Sequence, residues 1–137
     1  MIRKIQIVFA LSMGVIAGVM LAQTEADFSG WMKSVQATDK GVKGAVAAKD
    51  AAAVNAAAKT LEDSFKSVEA FFTKKGGAAD AVGLAKANSA AASAMGKAAT
   101  AGNFDAAATS AATIAGSCNM CHMVHREGEK GGPYKIK

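Results

Sequence analysis

Proline, cysteine, histidine and large aromatic residues are all scarce in this chain of 137 residues. It has one proline, two cysteines, two histidines, one tryptophan, one tyrosine and six phenylalanines. The lone proline, Pro133, stands near the end, so nothing breaks helix over long stretches. β-Branched residues never alternate with polar ones over a useful length, which excludes a fold built on sheets. There is no arginine-rich stripe and no basic–aromatic interleaving, so nucleic acid is not an expected partner. No period of 20–50 residues recurs, which excludes a repeat array. Also missing are a nucleophile paired with a base, a spare acid–base pair and a phosphate loop, so the chain is not expected to be an enzyme.

Alanine and lysine are what the chain has in quantity. The formal net charge is +5. Arg3 and Lys4 open the chain, and an apolar run from Ile5 to Ala22 follows, with small residues Ala17, Gly18 and Ala22 near its end. Residues 1–22 therefore read as an export signal cut after Ala22, with Ala26 as the alternative site. The run is also nearly long enough to span a bilayer, so an uncleaved anchor, and with it a membrane association, is the competing reading. No cysteine follows it to take a lipoprotein anchor. Either way the domain is expected outside the cytoplasm, in the periplasm. Removing 1–22 takes two of sixteen basic residues and none of the eleven acidic ones, leaving +3.

The alanine-rich remainder predicts helix almost everywhere. Breakers divide it into four segments. The first runs from about Glu25 to Ala48 with Thr24 as N-cap, and the second from Asp50 as cap to Lys75, where Gly76-Gly77 stops it. The third spans about Ala78 to Ala101. The fourth starts at Asn103 and frays after Arg126 into a glycine-rich tail. Apolar residues recur at spacings of three and four, as in Phe28, Trp31/Met32, Val35, Val42 and in Val54, Ala58, Leu61, Phe65, Val68, Phe72. Four helices of similar length with short joints predict an all-α, antiparallel up-and-down four-helix bundle over residues 23–127, with 128–137 as a flexible tail. In that topology Phe28, Trp31, Leu61, Phe65, Val68, Phe71, Phe72, Val82, Leu84 and Ile114 gather at one end. The other end is nearly all alanine and valine.

The bulky end is also where the only two cysteines fall. Cys118-Asn119-Met120-Cys121-His122 spells C-x-x-C-H, the attachment signature of a c-type haem. Each thiol adds its S–H across a vinyl group to make a thioether, and the imidazole of His122 binds the iron. One motif implies one covalent haem c. A thioredoxin-like dithiol would want a βαβ setting, and a zinc site would have to use Cys118, Cys121, His122 and His125 at too tight a spacing.

An exported four-helix domain with one C-x-x-C-H near its C-terminus resembles the class II c-type cytochromes, the cytochrome c′ group and its low-spin relatives. The resemblance in kind covers the mature chain, and the motif evidence is confined to Cys118–Arg126. It implies that Arg126, four places after the histidine, neutralises a haem propionate or lines the pocket. An aromatic commonly precedes that basic residue; here His125 stands there, read as a surface or propionate-edge histidine. Low-spin relatives use a methionine near the start of helix one as the second iron ligand, and Met32 holds that place. Its surroundings also resemble the start of the periplasmic four-helix b-type cytochrome. Ordinary core filling is the alternative for Met32.

Three functions follow. The first is an electron carrier with His122 and Met32 on the iron, exchanging electrons with redox partner proteins. The second is a cytochrome c′-like protein with five-coordinate iron that binds nitric oxide or carbon monoxide. The third, a peroxidase-like enzyme, lacks a well-placed acid–base residue. Such proteins often dimerise through helices one and two, and the alanine-rich faces here permit a homodimer.

Overall fold

The computed structural model describes residues 23–128 and 134–137, so the expected export signal at 1–22 lies outside the described residues. Four helices, α1 (Glu25–Ala47), α2 (Ala51–Lys75), α3 (Ala79–Thr100) and α4 (Phe104–His125), account for nearly all of them. Their ends follow local chemistry. Thr24 caps α1 reciprocally: its hydroxyl accepts the Asp27 N–H at 3.2 Å, and the Asp27 carboxylate accepts the Thr24 N–H at 2.8 Å. Asp50 and Asn103 cap α2 and α4 through the N–H groups of Ala53 and Ala106. Gly76 ends α2 at φ +76°, a conformation open to glycine, with Lys74 and Lys75 at the negative end of the helix dipole.

Side-chain pairs fix the directions. Asn55 near the start of α2 donates to Thr100 at the end of α3, at 3.0 Å. Ser117 of α4 donates to Asn88 of α3 at 2.8 Å. Phe28 of α1 meets Phe72 of α2 with ring centres 5.5 Å apart. Consecutive helices therefore run antiparallel, and the molecule is an all-α four-helix bundle. The α2–α3 pair is the most intimate and α1–α4 the loosest of the four neighbouring pairs. Small residues explain the first: a Cβ on Gly96 would lie 3.1 Å from the Ala58 Cβ and 3.0 Å from Asn55 Oδ1.

The interior divides into two clusters. Val35, Val42, Val54, Leu61, Phe65, Met95 and Ile114 form the first with buried alanines. Phe28, Val68, Phe71 and Phe72 form the second with Ala78, Ala81 and Ala85, and Trp31, Val82, Cys121 and Ile136 pack on it. Leu61, Phe65 and Ile114, assigned to the motif end from sequence, belong instead to the first cluster. The aromatic end is thus narrower than expected, consisting of Phe28, Trp31, Phe71 and Phe72 in edge and tilted contacts.

Part of the expected tail is fastened to this end. Arg126–Glu127 (β1) pair antiparallel with Lys135–Ile136 (β2), in register Arg126 to Ile136 and Glu127 to Lys135. The Lys137 N–H donates to the His125 carbonyl at 3.0 Å, and Ile136 packs on the aromatic cluster. Pro133 lies outside the described residues.

Candidate functional site

Cys118, Cys121 and His122 lie on the last two turns of α4. Spacings of three and four put all three on one side of the helix. Both thiols are free and about half-buried. The Cys118 thiol donates to the Ile114 carbonyl at 3.4 Å, and Cys121 leans on the aromatic cluster. Burial first, and then the charge of Asp39, push the Cys118 thiol above its ordinary range; burial and then Asp80 do the same at Cys121. Because Asp39 is on α1 and Asp80 on α3, the two thiols flank the inward face of α4. A thioredoxin-like pair needs a stabilised thiolate, and these surroundings favour the thiol.

Burial is also the main effect on His122, with the Arg126 charge second, and together they lower its pKa. The ring is therefore neutral at neutral pH, with a lone pair to offer a metal. Among the described residues, no three of His, Cys, Asp and Glu converge as a ready-made metal site, so the closed four-ligand zinc arrangement is not assembled.

Met32 is half-buried on α1 and touches both apolar clusters. It stands seven residues, two turns, before Asp39 and so shares that residue's side of the helix. Asp39 acts on Cys118, which marks this side of α1 as the one turned towards α4. Met32 and Cys121 both pack on the second cluster, beside the loosely packed α1–α4 pair. A thioether on α1 with an imidazole and two free thiols on α4 is a donor set that fits a covalent haem.

Arg126 is the C-cap of α4 and the first residue of β1, and it is exposed. Its guanidinium lies 3.9 Å over the Tyr134 ring, a cation–π contact at the rim of the site.

His125 corrects the sequence reading. It is not on the surface: only 8% of it is exposed. Its ring packs on Phe72 with centres 5.3 Å apart, and Nε2 lies 2.8 Å from Asp80 Oδ2. Its ring packs as an aromatic side chain would and adds a polar link that an aromatic hydrocarbon could not. Counting from Cys121 finds this position, since four residues on is the same face. The Asp80 partner comes from another helix and has no local signal.

Sequence reasoning also passed over an outward face of the motif helix. Met120, Met123 and Val124 are 55%, 81% and 53% exposed. Away from the motif, a groove of about 520 Å³ runs between α2 and α3 beside Lys59, Lys66 and Lys97. No helix among the described residues is long and apolar enough to cross a membrane. Comparison of the chain with protein-family models, curated proteins and solved structures found no match.

Proposed function

We propose that this chain is a periplasmic electron carrier of the class II cytochrome kind, holding one haem through thioethers to Cys118 and Cys121. When bound, that group would supply a one-electron iron couple. Cys118 and Cys121 would fix it to α4 at two points, and His122, kept neutral by burial, would offer its ring nitrogen to the iron. Met32 would offer its sulfur from α1, raising the potential and closing the iron to outside ligands. Phe28, Phe71 and Phe72 keep water from that end of the bundle, and Arg126 at the rim is suited to balance a propionate. The exposed methionine face on the same turns gives a redox protein an apolar surface to approach beside the motif.

What supports the reading is that Met32 and Cys121 both pack on the second apolar cluster, beside the loosely packed α1–α4 pair. Two half-buried free thiols and a neutral imidazole stand on α4, and a thioether on α1. His125 lies on the same helix as His122 and is held by Asp80 of α3, so it is unsuited to distal acid–base work.

One observation favours a second reading. Met32 packs against both clusters as a core methionine would, and in that role it would leave the haem iron without a second protein ligand and accessible to nitric oxide or carbon monoxide. The ferric spectrum separates the two. A carrier shows low-spin bands and a weak far-red sulfur-to-iron band that Met32→Ala removes. A high-spin spectrum indifferent to Met32→Ala, with rapid carbon monoxide binding after reduction, establishes the gas-binding reading.

A further inference from the structure

Helix α4 turns to solvent a side that carries no charge. No Asp, Glu, Lys or Arg stands between Asp105 and Arg126. The other helices expose Lys40 and Lys43 on α1, Lys59 and Lys66 on α2, and Lys86 and Lys97 on α3. At about 3.6 residues per turn, the exposed positions of α4 from Ala108 to Val124 fall within less than half of the helix circumference, centred on Gly116. The two ends of this side differ in bulk. Met120, Met123 and Val124 are 55%, 81% and 53% exposed at the motif end, whereas the small Ala108 and Ala112 are exposed at the other. Thr109 and Thr113 donate their hydroxyls back to the carbonyls of Asp105 and Thr109, both at 3.0 Å, so neither needs an outside partner.

Gly116 is the residue that the bundle itself does not explain. Glycine inside a helix costs about 1 kcal/mol relative to alanine, yet a Cβ there would meet nothing within 4 Å. Gly96 is the contrasting case, because Ala58 and Asn55 of α2 crowd it. Gly30, Gly41, Gly44 and Gly83 are as open as Gly116, but their helices expose Lys33, Lys40, Lys43 and Lys86 on those stretches. At Gly116 the missing side chain coincides with a side free of charge.

We propose that this side of α4 is the contact between two copies of the chain, packed antiparallel about a two-fold axis beside Gly116. Such a contact is isologous, so each residue meets the one equally far beyond the axis on the other copy. Val124 then lies over Ala108, Met123 over Thr109 and Met120 over Ala112. Bulky side chains of one copy cover small residues of the other, and glycine at the axis lets the backbones approach. Charge points to the same occupant. Two copies of net charge +5 repel one another, and here they meet without opposing lysines. A helix that lies on an anionic lipid surface carries cations on its polar side, and the exposed positions between Ala108 and Val124 hold none. The sides of α1 and α2, through which the resemblance would pair two copies, carry lysines. One helix side is less than the roughly 1,200–2,000 Å² of a standard stable interface, so the pair is weak and forms as concentration rises. In the monomer the methionines are open to a redox protein. The contact uses none of Cys118, Cys121 and His122, so it stands or falls apart from the haem reading.

Sedimentation equilibrium of the purified protein over a wide concentration range tests the contact. The wild type passes from monomer to dimer as concentration rises. Gly116→Lys sets two cations together at the axis and raises the dissociation constant at least about tenfold. Its helical circular dichroism is unchanged, because the new side chain enters open space. Met120→Glu also weakens the pair, and adding Ala112→Lys to the same chain restores it, since each introduced carboxylate meets the introduced ammonium of the other copy. Within one copy those two positions are about 12 Å apart along the helix, too far to pair. Gly44→Lys on α1 leaves association unchanged. Monomer at every concentration overturns the proposal, whether or not the methionines then bind lipid vesicles or another protein. So does a dimer that withstands Gly116→Lys and Met120→Glu, one broken by Gly44→Lys, or a failure of Ala112→Lys to restore the pair.

Discussion

The candidate site consists of Cys118, Cys121 and His122, and their surroundings bear on what each side chain can do. Two raised thiol pKa values and one lowered imidazole pKa share a first cause, half-burial on the inward side of α4. This makes His122 testable without haem. In a variant with both thiols replaced by serine, its ring should titrate below the usual histidine range of about 6.5, as followed by NMR. The unfolded chain then binds the His122 proton first as pH falls. The stability due to this group is complete above about pH 6.5 and is lost as pH falls through the folded value. A midpoint at or above that of a model histidine contradicts the burial. The three motif residues are picked out at sight as a candidate site because the signature depends only on adjacent positions. His125 is less so: its helical phase shows that it faces inward, but only the tertiary structure supplies Asp80.

Helices are legible at the next scale because caps and stops are local. Thr24, Asp50, Asn103 and Gly76 all do what their types imply, and the observed boundaries fall within one residue of those expected at most ends. The strands are the opposite case. Two residues each in β1 and β2 carry no period to read, and they pair because Ile136 finds the aromatic cluster and the Lys137 N–H finds the His125 carbonyl. Helix proximity is likewise invisible in a run of alanines. Gly83 and Gly96 look alike in sequence, yet open space surrounds the first and Ala58 crowds the second. Gly83→Ala should therefore stabilise the bundle by up to about 1 kcal/mol through helix propensity. Gly96→Val should destabilise it by about 1–3 kcal/mol by forcing α2 from α3. A Gly96→Val variant as stable as the wild type in urea melts, or a Gly83→Ala variant destabilised as much as Gly96→Val, would refute the packing described for this pair.

At the scale of the molecule, the bundle is asymmetric in a way that matches its motif. Alanine and glycine bring α2 and α3 together, while α1, which carries Met32, and α4, which carries the motif, meet loosely. The concentration of bulky residues was visible from the four-helix topology alone. Its division into two clusters was not, because Leu61, Phe65 and Ile114 reach inward to Val54 and Met95 rather than along the axis to Phe72. The central claim is covalent haem on Cys118 and Cys121. Intact mass of the denatured mature protein, made in a host that matures c-type cytochromes, tests it most directly. The added mass of one haem is expected, retained after denaturation and lost when both cysteines are changed to alanine. Two thiols still free to alkylate, with no added mass, would contradict it.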